Sequence, residues 1–280
     1  MLAEGAHRLP LRQHQVELAG SHGGLGAEVG QQRDAEAGEQ LVESTRGAFA
    51  QIAQSFAGVK DLARLPSGVL RVTAPVALAR QQIVPRLADF LRAHPEVRIE
   101  LEMSDRLVSL AQEGFDLALR HVAAPPDTHV AWPLCTTRSW LVASRAYLRR
   151  AGVPAAPQDL AGHDCLHYLR PGDTTTWTFA PAQGGEPVSV PVRGVFSANN
   201  SEALREAALA GLGIALLPDF SAQAAVQSGK LQLVLPQWKP VGAFGEHLYA
   251  IRPYSPVVPR AVQAFIGYWR TALENGFPIP

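Results

Sequence analysis

Apolar and polar positions alternate with period two over Gly68–Ala74 and again over Val97–Met103, which predicts two β-strands. Between them the period lengthens. Ile83, Leu87, Phe90 and Leu91 share one face of a helix predicted over 81–93, and His94-Pro95 stops it. Strand, helix and strand in that order form a βαβ unit, so the two strands pair in parallel within an α/β domain. Ligands of open α/β sheets sit beyond the carboxyl ends of the strands. That rule makes a binding rim of Ala74, Pro75, Val76 and Ala77 after the first strand and of Ser104 and Asp105 after the second.

Upstream, Leu41, Ala48, Ile52, Phe56, Val59 and Ala63 step mostly by threes and fours. They predict a long helix over 36–65 with a seam near the spacing of a two-helix contact. A long helix outside a compact α/β domain packs on another chain more often than on its own. Leu41, Ile52, Phe56 and Val59 are therefore candidate dimerisation residues, and Pro66-Ser67-Gly68 ends the helix. Residues 1–35 are rich in Gly, His and Gln and keep no apolar period, which predicts an irregular or disordered segment.

Downstream, Phe115–Arg120, Trp140–Ser144, Leu166–Leu169, Ile214–Leu217, Leu231–Leu235 and Leu248–Arg252 read as strands. Trp177–Phe179 and Val188–Val195 read as an antiparallel pair, and Pro125-Pro126 and Pro133 as loop and crossover. Asn199, Asn200 and Ser201 are N-cap residue types ahead of a helix over 202–210, and 222–227 and 257–273 read as further helices. The alternation predicts two α/β lobes. The first takes about 67–138 and 251–280, and the second about 139–250, with two crossings and a cleft between them.

Formal charge is zero, from 25 basic and 25 acidic residues, which does not suit a protein coating nucleic acid or a membrane surface. Cys135 and Cys165 form no Cys-x-x-Cys pair and read as buried thiols of a reducing compartment. His163-Asp164-Cys165 with His167 invites a metal or Cys-His reading, but a loop entering a strand explains it more simply. Dinucleotide, P-loop and Gly-x-Ser-x-Gly motifs do not occur, so neither an enzyme nor a cofactor is expected. At the rim, helix N-termini can hold an anion, and Arg120 or His121 can pair with a carboxylate. Asn199 and Asn200 start a second helix that can face the first across the cleft, and the set suits a small organic acid.

Seven segments in order resemble the LysR-type transcriptional regulators. They are Gly68–Pro75, Phe90–Val97, Ser104-Asp105, Glu113–Arg120, Leu160–Leu166, Asn199–Ala208 and Gly211–Pro218. The resemblance implies a two-lobe, periplasmic-binding-protein-like (type 2) effector domain over 67–280, preceded by a long linker helix over 36–66. It also implies a small-molecule effector in a cleft lined by Ala74–Ala77, Ser104, His121 and the Asn199-Asn200 turn, with Arg120 and Pro218 nearby, and a homodimer or tetramer. Members carry an N-terminal winged helix-turn-helix, whereas residues 1–35 hold only Arg8, Arg12 and Arg33 as cations other than histidine. Promoter DNA is thus expected as a partner only with an intact DNA-binding module. The alternative is a stand-alone solute-binding protein of the same fold. No basic head with an apolar core opens the chain, and no run is long enough to span a membrane, so a cytoplasmic protein is expected.

Overall fold

The computed structural model describes residues 65–106, 108–169 and 175–279. The expected irregular segment 1–35, and the linker helix with Leu41, Ile52, Phe56 and Val59, lie outside them.

The chain first lays down β1 (Gly68–Ala74), a helix α1 (Val76–Leu78, Ala79–Ile83 and Val84–Ala93 in succession), β2 (Val97–Met103), a single turn α2 (Leu110–Glu113), β3 (Leu117–Val122) and β4 (His129–Thr136). It crosses to a second lobe as β5 (Ser139–Ser144), α3 (Arg145–Ala151), β6 (Cys165–Tyr168), β7 (Thr176–Pro181), β8 (Val188–Pro191) and β9 (Ser197–Ala198). There follow α4 (Ser201–Leu209), β10 (Ile214–Pro218), α5 (Asp219–Gln227), β11 (Leu231–Val234) and β12 (Trp238–Val241). It returns as β13 (His247–Pro253) and closes with α6 (Arg260–Ala272).

The first sheet runs β2-β1-β3-β13-β4. β1 pairs in parallel with β2 from Gly68↔Val97 to Ala74↔Met103, and β13 is antiparallel to both its neighbours. The second runs β11-β5-β10-β6-β9, and a small antiparallel sheet, β12-β7-β8, covers one of its faces. Because all of β13 belongs to the first sheet, the return crossing is at 242–246, ahead of the expected boundary near 251. The period-two pattern of β13 marks a strand but carries no information on which sheet receives it.

α1 starts at Val76, earlier than its apolar stripe suggests. Helical segments Val76–Leu78, Ala79–Ile83 and Val84–Ala93 follow without a break, the middle one a π-turn. The wide turn shifts the period from 3.6, which hides Ala77, Leu78 and Ala79 from a pattern search although all three are buried. Pro133, expected in a loop, lies within β4. A proline fits there because β4 is an edge strand, where its missing N–H costs no ladder bond.

The first lobe buries Leu70, Val72, Phe90, Leu117 and Leu119 against one face of α6, which presents Val262, Phe265, Ile266 and Trp269. Each such side chain contributes roughly 1.5–3 kcal/mol. The second lobe has a core on each face of its sheet. Phe220 breaks the partition: its backbone opens α5 in the second lobe, and its side chain lies in the first lobe's core.

Candidate functional site

The turn from β1 into α1 is covered. Ala74 and Ala77 are fully buried, and Ala74 accepts the Ser104 N–H at 2.9 Å, which ties the ends of β1 and β2 together. Pro75, Val76 and Ser104 are half-buried. The free N–H of Val76, where an anionic ligand was expected, is taken by the carboxylate of Asp105. The same carboxylate accepts from Asn200 Nδ2 at 2.6 Å. Burial raises the Asp105 pKa, while the bonds from Asn200 and Val76 and the charge of Arg120 pull it down.

Arg120 and His121 are likewise engaged. Arg120 is 7% exposed. It donates to Thr73 Oγ1 at 3.1 Å and to the Leu119 carbonyl at 3.0 Å. Its burial lowers its pKa, and Asp105 and Glu102 oppose that. His121 Nε2 lies 2.6 Å from Thr137 Oγ1 and beside the Gly245 carbonyl. Its ring sits edge-on to Phe220 and stacked on Phe244.

In the second lobe, Asn200 is the N-cap of α4, with Oδ1 accepting from Glu202 N at 2.9 Å and Ala203 N at 3.0 Å. Asn199 is exposed, and Pro218 is buried as the residue leading into α5. The structure therefore brings Asp105 and Asn200 together as a lobe-to-lobe bond. Arg80 with Glu202 (3.4 Å) and Gln82 Nε2 donating to the Phe220 carbonyl (3.0 Å) belong to the same seam.

The two crossings lie side by side. Thr137 N–H donates to the Glu246 carbonyl at 2.9 Å. Asp219, 4% exposed, donates its N–H to the Arg138 carbonyl at 2.8 Å and accepts the Arg138 N–H on Oδ2 at 2.8 Å. Burial pushes its pKa up to about 7 against those bonds. Gly245 is required by close approach: a Cβ there would sit 2.2 Å from the Val122 carbonyl carbon.

Beside the second crossing, a pocket of about 350 Å³ opens between the second sheet and the small sheet. His167, Tyr168, Thr175, Thr176, Trp177 and Phe244 line it with others. His167 Nδ1 is buried and has no hydrogen-bond partner among the described residues. Tyr168 meets Phe244 edge-on at 5.3 Å, so the pocket wall continues into the Phe244–His121 stack at the seam. The sequence pattern weighs His167 only within a metal or Cys-His group and takes Trp177 as an ordinary strand residue. The one usable signal was polar threonines beside aromatics. Its neighbours are held elsewhere: the Tyr147 hydroxyl lies 3.1 Å from His163 Nδ1, and Cys165 is fully buried.

Two lobes, each with its own sheet, joined by two adjacent crossings with a pocket beside one of them, define a two-lobe ligand-binding protein of the type 2 periplasmic-binding-protein-like class. The LysR substrate binding domain family matches residues 63–274, and the chain belongs to the LysR family of transcriptional regulators. It is 28% identical over 236 residues to the probable HTH-type transcriptional regulator LtrA of Klebsiella pneumoniae, covering 84% of this chain and 76% of that one. It is 33% identical over 233 residues to the HTH-type transcriptional regulator PtxR of Pseudomonas aeruginosa, covering 82% and 72%. The regulatory domain of CrgA, a LysR-type regulator from Neisseria meningitidis, superposes with a TM-score of 0.65 at 28% identity, over 74% of this chain and 98% of that one. These relatives are regulators rather than enzymes. Among the described residues no helix is long and apolar enough to cross a membrane.

Proposed function

We propose that this chain is a cytoplasmic sensor whose small-molecule effector enters between the lobes and lodges in the pocket beside the second crossing. The observation that carries this reading is the cavity of about 350 Å³ lined by His167, Tyr168 and Trp177 and walled by Gly242, Ala243 and Phe244 of the second crossing. The aromatic walls favour a small planar molecule with one hydrogen-bonding edge aimed at His167. The helix N-terminus at Val76 is already neutralised by Asp105, so an acidic group has better reason to sit toward His167 than at the rim. Asp105 and Asn200 act as a lobe-to-lobe contact, and Arg120 as a brace within the first lobe, rather than as ligands.

Mechanism is then population shift. Binding favours one lobe arrangement in proportion to its differential affinity, and a homodimer or tetramer transmits the change, to promoter DNA only where an intact DNA-binding module is present. The test is thermal unfolding of the full chain across a panel of organic acids and neutral aromatics. A ligand at 100 times its Kd adds about 2.7 kcal/mol. The expected result is a Tm rise that His167→Ala removes. No rise with any compound, or a rise indifferent to His167→Ala and Phe244→Ala, would overturn the assignment.

A further inference from the structure

The residues after α6 cross from one lobe to the other. α6 packs on the first lobe, and Leu273 continues in that core at 1% exposure. Gly276 then turns the chain with φ of 61°, where any Cβ would also sit 3.1 Å from the Thr136 carbonyl oxygen. Phe277 is buried in the first lobe's core and meets the Phe220 ring edge-on at 5.7 Å. The next carbonyl belongs to the other lobe's contacts. Pro278 O accepts from Gln223 Nε2 at 3.2 Å and from Gln227 Nε2 at 3.1 Å. These carboxamides stand one turn apart on the same face of α5. Ile279 packs against the second lobe's own core.

We infer that residues 273–279 are an interlobe strap: a non-covalent connection, beside the two covalent crossings and apart from the Asp105–Asn200 seam, that holds the lobe angle. The covalent crossings permit rotation, because a single strand passes at each. The strap opposes it, because turning one lobe draws the Pro278 carbonyl away from both carboxamides at once and lifts Ile279 from its seat. Two bonds sharing one acceptor break together, so the strap is either engaged or released, the kind of discrete element that switching between two lobe arrangements needs. The Phe277–Phe220–His121–Phe244 ring contacts lead from it along the seam to the pocket wall. This restraint on the lobe angle is independent of whether the pocket holds the effector.

The experiment measures the lobe-to-lobe distance by pulsed electron spin resonance on the full chain. Nitroxides go on Arg92→Cys in the first lobe and Lys230→Cys in the second, both exposed sites, while the native Cys135 and Cys165 are buried. Labelled protein is diluted in unlabelled protein so that only distances within one chain are read. Gln223→Ala/Gln227→Ala keeps the whole chain and removes both donors, together with the 3.5 Å bond that Gln223 Oε1 accepts from Gln82 Nε2; Gln227→Ala alone removes one donor and leaves that bond in place. Truncation after Glu274 removes the strap. Each is expected to broaden the distance distribution and move its centre, whereas Gln263→Ala, whose amide bonds only Val258 in the first lobe, leaves it unchanged. A Gln223→Ala/Gln227→Ala distribution that superimposes on the parent overturns the strap, and that variant decides alone if the truncated chain fails to fold.

Discussion

Replacing Asn200 with serine isolates one bond across the lobe seam. Asn200 does two things: its Oδ1 caps α4, and its Nδ2 donates to Asp105 at 2.6 Å. Serine caps a helix about as well as asparagine, so the cap is kept, but its side chain is too short to reach Asp105. A hydrogen bond to a charged group contributes about 1.5–3 kcal/mol when buried. Both residues here are only half-buried, and water can replace part of the bond, so the expected loss is about 1 kcal/mol. Asn200→Ala removes the cap as well and costs about 2 kcal/mol in total. Asp105→Ala gives up both the Asn200 bond and its contact with the Val76 N–H. The double variant Asn200→Ser/Asp105→Ala then loses the shared bond only once. A double-mutant cycle in urea at pH 8, followed by circular dichroism and tryptophan fluorescence together, reads the difference as a coupling energy near 1 kcal/mol. Additivity within about 0.3 kcal/mol would refute the claim that this pair joins the lobes.

Asp219 predicts a second, pH-dependent effect. Its folded pKa of about 7 lies above the ordinary 3.8, so between those values the folded chain keeps a proton that the unfolded chain has lost. Stability from this group is full below about pH 4 and declines as pH rises through 7, by on the order of 3–4 kcal/mol. Melting temperature measured across that range should fall with rising pH, and Asp219→Asn should remove that part of the slope; a flat wild-type profile would contradict the burial argument. Burial also pushes the thiols of Cys135 and Cys165 up to about 12, so neither should react with Ellman's reagent at pH 8 until the chain unfolds. Rapid reaction of either in the native protein would show that it is not enclosed.

How far the chain can be read from its letters differs between strands and seam. β1 and β2 carry their own signal: alternation over Gly68–Ala74 and Val97–Met103 suffices, because period two follows from backbone geometry within one strand. The N-cap of α4 was equally local, since Asn200 bonds amides two and three residues ahead. β12 escaped notice because four residues with a central proline make no period, and it exists as a strand only through its antiparallel pairing with β7. Arg120 looked like a ligand for an acid. The structure gives its guanidinium to Thr73, 47 residues away, while His121 faces a carbonyl 124 residues away. Nothing near either residue in the sequence announces those partners. Phe220 is the clearest case, an ordinary apolar residue at the start of a helix whose ring crosses into the opposite lobe. Periodicity reports which side of an element is apolar, and that is enough to predict the elements and their class. Which lobe that side meets, and which polar groups are used up in the meeting, depends on contacts between distant segments, and only the folded chain holds them.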